Sequence, residues 1–218
     1  MTFRGLLFLA FLLPWALAGQ PALVTKNFRF QEGIYLTHSS FRNNAPDLTW
    51  DQVQAKWYTN PQTYLTQVEY ISLEGQGSLS PDSIWGLCIQ GIPYIRLSRE
   101  WIQKELATFA PIQLRGKICY FEFDRRDTTE VLITAYNPAN GLPFRKGTIR
   151  KTSDVTCPKM LDFETGAVAD FNRENLVAWV ADDPELVEAV LAIREEELKV
   201  KLFKSLLIYV DRNNVYIP

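Results

Sequence analysis

Candidate catalytic residues are few in this chain, and the first of them is its only histidine. His38 stands directly before Ser39 and Ser40. Residues that are adjacent in sequence rarely face each other as base and nucleophile, and the chain has no Gly-x-Ser-x-Gly motif that would expose a serine on a strand-to-helix turn. Serine is instead common at helix starts, so Ser39 or Ser40 is predicted to cap a short helical turn.

Three cysteines, Cys88, Cys119 and Cys157, are the other candidate nucleophiles. Cys88 and Cys119 lie in apolar runs that predict buried strands, and burial raises the pKa of a thiol and makes it unreactive. These two either form a disulfide across a sheet or are small buried hydrophobic residues. An exported chain with an odd number of cysteines keeps at least one free or intermolecular thiol. Cys157, which stands before Pro158 near a predicted strand start, is expected to be that thiol. With no Cys-x-x-Cys pair and a single histidine, no zinc site is predicted.

Carboxylates offer a third kind of chemistry. Asp124, Asp127 and Glu130 follow each other closely and could bind a hard cation, but Arg125 and Arg126 lie between them and the Asp-x-Asp-x-Asp-Gly order is missing. A glycosidase needs two carboxylates whose separation in sequence is unconstrained, so a carboxylate-based hydrolase stays an alternative for which no pair can be selected. No catalytic residue, metal site or cofactor is therefore predicted.

The positive indication of a binding site comes from four aromatic residues. Trp50, Trp57, Tyr58 and Tyr64 cluster in a stretch rich in Asn and Gln that has no clear strand pattern. If these rings are exposed, they form a platform for a sugar or peptide ligand. The alternative is that they cover one end of a sheet, since large aromatic side chains are mostly buried.

The N-terminus predicts export. Arg4 is followed by the apolar run 5–13, by Pro14, and by Ala16-Leu17-Ala18, the small-x-small pattern that signal peptidase cleaves. The run is far shorter than the roughly 20 residues that cross a bilayer. Residues 1–18 are therefore predicted to be a signal peptide cleaved near Ala18. The mature chain, expected to have no transmembrane helix, would be periplasmic, at the cell surface or secreted.

Composition narrows the expected partners. The chain is 47% hydrophobic and 22% charged, with a net charge of −2. Such a composition is typical of a globular domain and lacks the basic surface that nucleic acid requires. An envelope protein or a glycan is the expected partner.

Hydrophobic periodicity divides the mature chain into two parts. From residue 19 to 171, short and often alternating apolar runs predict strands, with a hairpin turn at Gln90-Gly91 and a charged turn at 124–127. From residue 172 to 218, the apolar spacing becomes helical. Strands followed by helices indicate an α+β fold, with a curled antiparallel sheet or small β-barrel or roll and about three helices packed on this body.

The C-terminal helical segment has clear start signals. Asn172 is predicted to cap its first helix, and Asp182 or Asp183, followed by Pro184, is predicted to cap the second. The last helix is predicted to span about 194–210, because its apolar residues recur at helical spacing.

Three parts of the chain are similar to motifs of a known group of proteins. Residues 32–36 and 41–46 resemble an opening of the form GIYL…F.NN.P. Residues 84–88 and 93–96 resemble a WGF…YI centre, and residues 209–218 resemble a Y.eRNP.Y.P end.

These motifs belong to small exported proteins of unknown function from Bacteroidota, which the chain resembles over most of its mature length. It departs from the pattern at Asn214, where the motif has proline. The resemblance implies an exported envelope protein, and it adds no catalytic residue because the family has no assigned activity.

The sequence thus favours a non-enzymatic binding or assembly component of the cell envelope. A carboxylate-based hydrolase and a carbohydrate-binding module are the alternatives. A deep polar cleft with convergent carboxylates would favour the hydrolase. A large exposed apolar patch would favour an interaction surface.

Overall fold

The computed structural model describes residues 21–75 and 77–217, and the predicted signal peptide at 1–18 lies outside these described residues. The helices are α1 (His38–Arg42), α2 (Arg173–Trp179), α3 (Pro184–Leu191) and α4 (Leu198–Arg212). The strands are β1 (Ala22–Leu23), β2 (Gly33–Tyr35), β3 (Val53–Thr59), β4 (Thr66–Leu73), β5 (Gly77–Leu79), β6 (Gly86–Ile89), β7 (Ile92–Arg96), β8 (Ala107–Pro111), β9 (Ile118–Tyr136), β10 (Pro143–Asp162), β11 (Val168–Asp170) and β12 (Tyr216–Ile217).

A strongly curled antiparallel sheet forms the body of the molecule. Its strand order over the described residues is β2-β6-β7-β8-β4-β3, and β5 pairs with β4. The predicted β6–β7 hairpin is confirmed, since Gln90 and Gly91 take φ values of 54° and 76°, as a two-residue turn of this kind requires. With the helices that follow, the fold is α+β and β-rich, as predicted.

A second sheet is built on one very long hairpin. Strands β9 and β10 contain 19 and 20 residues and pair without interruption from Ile118↔Asp162 to Ile133↔Gly147. The charged turn predicted at 124–127 was wrong, because the opposite strand supplies partners for these charges. The Thr156 hydroxyl donates to Asp124 at 2.7 Å, and Arg126 lies 3.6 Å from Asp154.

The base of β9 forms the wall between two hydrophobic clusters. Cys119, Phe121 and Phe123 point into the cluster shared with the curled sheet, and Ile118 and Tyr120 point into the cluster shared with the helices. This is the alternation that a strand buried on both faces produces. Burying the helical segment on this wall stabilises it far more than helix propensity alone.

The predicted helix starts are mostly confirmed. The Asn172 side chain accepts from the Asn175 backbone, and Asp183 accepts from the Leu186 backbone with Pro184 at the first helical position. The last helix begins later than predicted, because residues 195–197 form a 3-10 turn before α4. After α4 the chain returns to the body, where β12 pairs with β1.

Near the start of the chain, Thr37 caps α1 in place of the predicted Ser39 or Ser40. The Thr37 hydroxyl accepts from the Ser40 backbone, and the Ser40 side chain accepts from the Thr37 backbone. This reciprocal pair satisfies two backbone donors at the helix start.

Candidate functional site

The outer part of the β9–β10 hairpin, residues 124–156, is named the arm. Every side chain of β10 from Pro143 to Thr156 is exposed, and so is nearly every side chain of β9 beyond Asp127. At the usual rise per residue, the arm reaches about 44 Å from its root to Tyr136. A two-stranded ribbon of this kind is marginally stable by itself in water.

The end of the arm is strongly apolar. The arm tip consists of Leu132, Tyr136, Leu142 and Phe144, of which Leu132 is 66% and Phe144 68% exposed. Burying one such side chain is worth about 1.5–3 kcal/mol. Covering these four exposed side chains with a partner would therefore lower the free energy.

The two faces of the arm differ, as its register shows. Val131 is opposite Ile149, with Ile133 two residues further along β9, so one face carries an apolar stripe. The other face carries the polar cross-strand pairs, with Glu130 3.4 Å from Arg150. Exposed pairs of this kind contribute about 0–1 kcal/mol each.

The edges of the arm are also open. Strand β10 pairs with β11 only from Lys159 to Leu161, and the bridge between Leu114 and Tyr120 lies at the base of β9. Within the described part of the chain, the backbone groups along both outer edges of the arm pair with no third strand. Open edges can add a strand from another chain.

An apolar groove lies at the root of the arm, between α4 and the base of the hairpin. It has a volume of about 1040 Å³. Tyr120, Phe171 and Phe203 form its aromatic floor, with ring centroids 5.1–6.4 Å apart. Val200 and Leu207 of α4, both exposed, also line the groove.

The lining of the groove also includes the charged residues Glu122, Glu195, Lys199 and Lys204. The Tyr120 hydroxyl donates to a Glu122 carboxylate oxygen at 2.6 Å. Burial, together with this bond, raises the pKa of Tyr120. Tyr120 therefore stays neutral, and its ring adds to the apolar surface.

A polar cleft of about 560 Å³ lies where the arm leaves the body. Tyr58, Asn60 and Gln67 contribute one side, and Lys104 and Arg125 contribute cations. Aromatic, amide and cationic groups in one cleft are suited to a hydroxylated or anionic ligand.

The structure divides the four aromatic residues of the predicted platform. Trp50 and Trp57 pack together, with centroids 4.8 Å apart and planes 37° apart, and the Trp50 indole donates to the Cys88 carbonyl oxygen. Tyr58 lines the polar cleft, and Tyr64 is exposed in the turn that follows β3.

Two of the three candidate nucleophilic cysteines, Cys88 and Cys119, are buried in the core. Burial raises the pKa of Cys88 and of Cys119 to about 12. Their thiols face different backbone carbonyls, of Phe30 and Gly116. Of the two alternatives that the sequence left open, this structure has the free, buried thiols and not the disulfide. Cys157 is half-buried at the root of the arm.

The cation site suggested by the acidic residues is not formed. Asp124 and Glu130 lie on one face of β9 and Asp127 on the other, because their positions alternate along a continuous strand. Among the described residues, no three His, Cys, Asp or Glu side chains are grouped closely enough to hold a metal ion.

Motif residues that carry the family resemblance hold the body together. The Tyr35 hydroxyl donates to the Gln31 carbonyl, and the Asn44 side chain accepts from the Gln31 backbone. Trp85 packs on Phe41 at 4.7 Å. These contacts give the named side chains a structural role in the body of this chain.

Comparison with protein-family models, with curated proteins and with solved structures finds no match for this chain. No helix in residues 21–75 and 77–217 has both the length and the apolar composition needed to cross a membrane.

The arm and the groove were missed by the sequence analysis, although one signal pointed to the arm. Two runs rich in Val, Ile and Thr lie on either side of the turn at 137–142. Their similar length and the Asn-Pro and Asn-Gly pairs between them are typical of a long hairpin.

Proposed function

We propose that this protein is a non-enzymatic binding or assembly component of the cell envelope, exported by its N-terminal signal, and that the arm is its binding element. The observation that carries the proposal is the exposure of the arm tip at the end of a long ribbon. Exposed apolar surface of this kind usually marks a protein–protein contact.

The surroundings of the reactive side chains support a non-enzymatic role. His38 is bonded to the Phe163 carbonyl, and Ser40 takes part in the cap of α1. Cys88 and Cys119 are buried thiols. Each of these candidate groups is used in packing, in a helix cap or in a bond to the backbone.

Photo-crosslinking in the native cell tests the role of the arm. A photoreactive residue placed at Phe144 is expected to give one discrete covalent adduct in the envelope fraction. The same residue at Tyr70, which is 47% exposed on β4, is the matched control and is expected to give none. If neither Phe144 nor Leu132 gives an adduct, the arm is not the binding element.

A carbohydrate-binding role is the second candidate, and the polar cleft favours it. Tyr58 lines the cleft beside the amides of Asn60 and Gln67. Tyr64 is the natural control, because the two rings are 60% and 61% exposed and only Tyr58 is among the cleft residues. On an array of envelope glycans, Tyr58→Ala should lose binding and Tyr64→Ala should keep it.

The hydrolase alternative would use the same cleft, where Asp124 and Asp154 both lie. Asp124 accepts from Thr156, and Asp154 faces Arg126. Incubation of bound glycans with the protein, followed by mass analysis, would reveal cleavage. Loss of cleavage in Asp124→Asn would then assign a catalytic role to that carboxylate.

A further inference from the structure

The arm tip and the apolar groove lie at opposite ends of one hairpin, and together they indicate the partner. We propose that the arm binds a second copy of this chain, and that each arm tip inserts into the apolar groove of the other copy. This inference rests on the assembly function proposed above and names the partner.

The chemistry of the two surfaces matches. The tip presents Leu132, Tyr136 and Phe144, and the groove offers the rings of Tyr120 and Phe203. Aromatic and aliphatic anchors inserted into an apolar pocket supply most of the energy of a typical protein interface.

The positions of tip and groove allow the contact to close with two-fold symmetry. Because the groove lies at the root of the same hairpin that carries the tip, two arms placed side by side in opposite directions bring each tip to the other root. Such an arrangement uses the same surfaces on both copies and forms a closed dimer, not an open chain.

The charge distribution favours opposite directions. The outer part of the arm, 131–149, carries Arg145 and Lys146 and no acidic residue. The root, residues 122–127 and 153–158, carries four carboxylates and two arginines. Antiparallel arms place the basic ends beside the acidic roots, whereas parallel arms would place like charges together.

The area of contact is sufficient for a reversible dimer. A ribbon about 44 Å long and roughly 10 Å wide presents on the order of 400 Å² on one face. The face buried in this dimer is the one that carries Leu132 and the Glu130–Arg150 pair, opposite to the apolar stripe. Two such faces and two filled grooves together bury on the order of 1,000 Å², near the lower limit for a specific interface.

Sedimentation velocity of the mature chain over a range of concentrations tests the proposal. Wild type is expected to be a concentration-dependent dimer. A tip variant, Leu132→Asp with Phe144→Asp, and a groove variant, Val200→Lys with Leu207→Lys, are each expected to weaken the dimer by at least about 100-fold. All four positions are exposed, so both variants should fold.

Mixing the two variants is the decisive step. In the mixed pair one tip-in-groove contact is intact and the other sets Asp opposite Lys, whereas each variant alone keeps no intact contact. An equimolar mixture is therefore expected to dimerise more tightly than either variant alone. If the mixture stays monomeric while wild type dimerises, the tip does not occupy the groove and the inference is wrong.

Matched controls guard against a general effect of added charge. Ile149→Asp lies on the stripe face of the arm, and Ile208→Lys lies on α4 outside the groove; the two side chains are 47% and 45% exposed. Both variants should dimerise like wild type. If Ile149→Asp is monomeric while the tip variant still dimerises, the dimer contact is made by the apolar stripe and not by the tip, and the proposal is wrong.

The result also separates the inference from the proposed function. A wild-type chain that stays monomeric, but whose Phe144 crosslinks to a different protein in cells, disproves the second copy as partner and leaves the assembly role intact. A monomeric chain with no adduct at the arm disproves both.

Discussion

The Nε2 atom of His38 lies 3.0 Å from the carbonyl oxygen of Phe163, and this contact joins α1 to the turn between β10 and β11. The imidazole also packs beside Trp85, with ring centroids 5.4 Å apart. The only histidine of the chain therefore links two distant segments. Burial lowers its pKa, although the bond to Phe163 acts in the opposite direction.

His38 should make the folded protein less stable as the pH falls. Because its folded pKa lies below the ordinary 6.5, the unfolded chain binds more protons in the window just below pH 6.5. Stability present above that window is then lost as the pH falls through it. His38→Gln keeps a donor for Phe163 and cannot titrate. Urea unfolding from pH 8 to pH 5 should show a steeper loss for wild type.

Parallel curves for the two proteins would contradict this expectation. No second imidazole can produce the same pH dependence, because His38 is the single histidine of the chain. The difference between the two unfolding curves therefore reports the titration of this one side chain.

Asp182 should stabilise the helical segment through its charge. Its carboxylate accepts from Lys117 and from the hydroxyl of Tyr209, each at 2.8 Å. The bond to Lys117 and then the bond to Tyr209 lower its pKa. Since Asp182 is about half exposed, Asp182→Asn should cost only about 1 kcal/mol at pH 7.

The pH dependence of this cost gives a second readout. A lowered carboxyl pKa contributes stability above the ordinary value of 3.8, and this stability is lost as the pH falls through the folded pKa. The difference between wild type and Asp182→Asn should therefore shrink below pH 4. Asp211→Asn, at an exposed position on α4, should match wild type throughout. If both substitutions lower the free energy of unfolding equally, the bonds of Asp182 to Lys117 and Tyr209 do not stabilise the helical segment.

The body should fold without the arm. Replacing 128–152 by Asn-Gly joins Asp127 to Ser153, which face each other in the register, through a two-residue turn suited to hairpins. No side chain in the removed segment is buried, so the free energy of unfolding should change by less than about 1 kcal/mol. Urea unfolding followed by tryptophan fluorescence measures this, since no tryptophan is removed. Loss of cooperative unfolding would show that the arm is part of the core.

The sequence could predict elements whose signals are local. The helix caps at Asn172 and Asp183 and the hairpin at Gln90-Gly91 each depend on a few neighbouring residues. The charged stretch 124–127 was predicted as a turn but is part of strand β9. A run of charges in one strand is stable only when the opposite strand supplies partners. Those partners, such as Asp154 for Arg126, lie far away in sequence.

The candidate site was not predicted for the same reason, because it depends on contacts between residues that are far apart in sequence. The arm tip can be recognised only once the register shows that nothing in the described body covers 131–149. The groove depends on Phe203 of α4 meeting Tyr120 of β9, a contact set by tertiary packing. Local propensity indicates the hairpin, but it does not show that the tip is uncovered or that the groove exists.

The three thiols should react in two steps. Cys157 is half-buried, so it should take one alkyl label on the folded protein. Cys88 and Cys119, whose pKa values burial raises to about 12, should react only after unfolding, because the thiolate is the reactive form. Intact mass measured before and after unfolding counts the labels directly.

The same spectrum, taken on protein from fractionated native cells, tests the proposed export. A mass short by residues 1–18 in the envelope or the medium would support it, whereas a full-length species in the inner membrane would oppose it. A single label on the unfolded exported chain would mean that two of the three cysteines pair in that compartment, and uptake of that label before unfolding would identify the pair as Cys88 and Cys119. Such pairing would require β6 and β9, which carry the two thiols in separate sheets, to move together at the centre of the core.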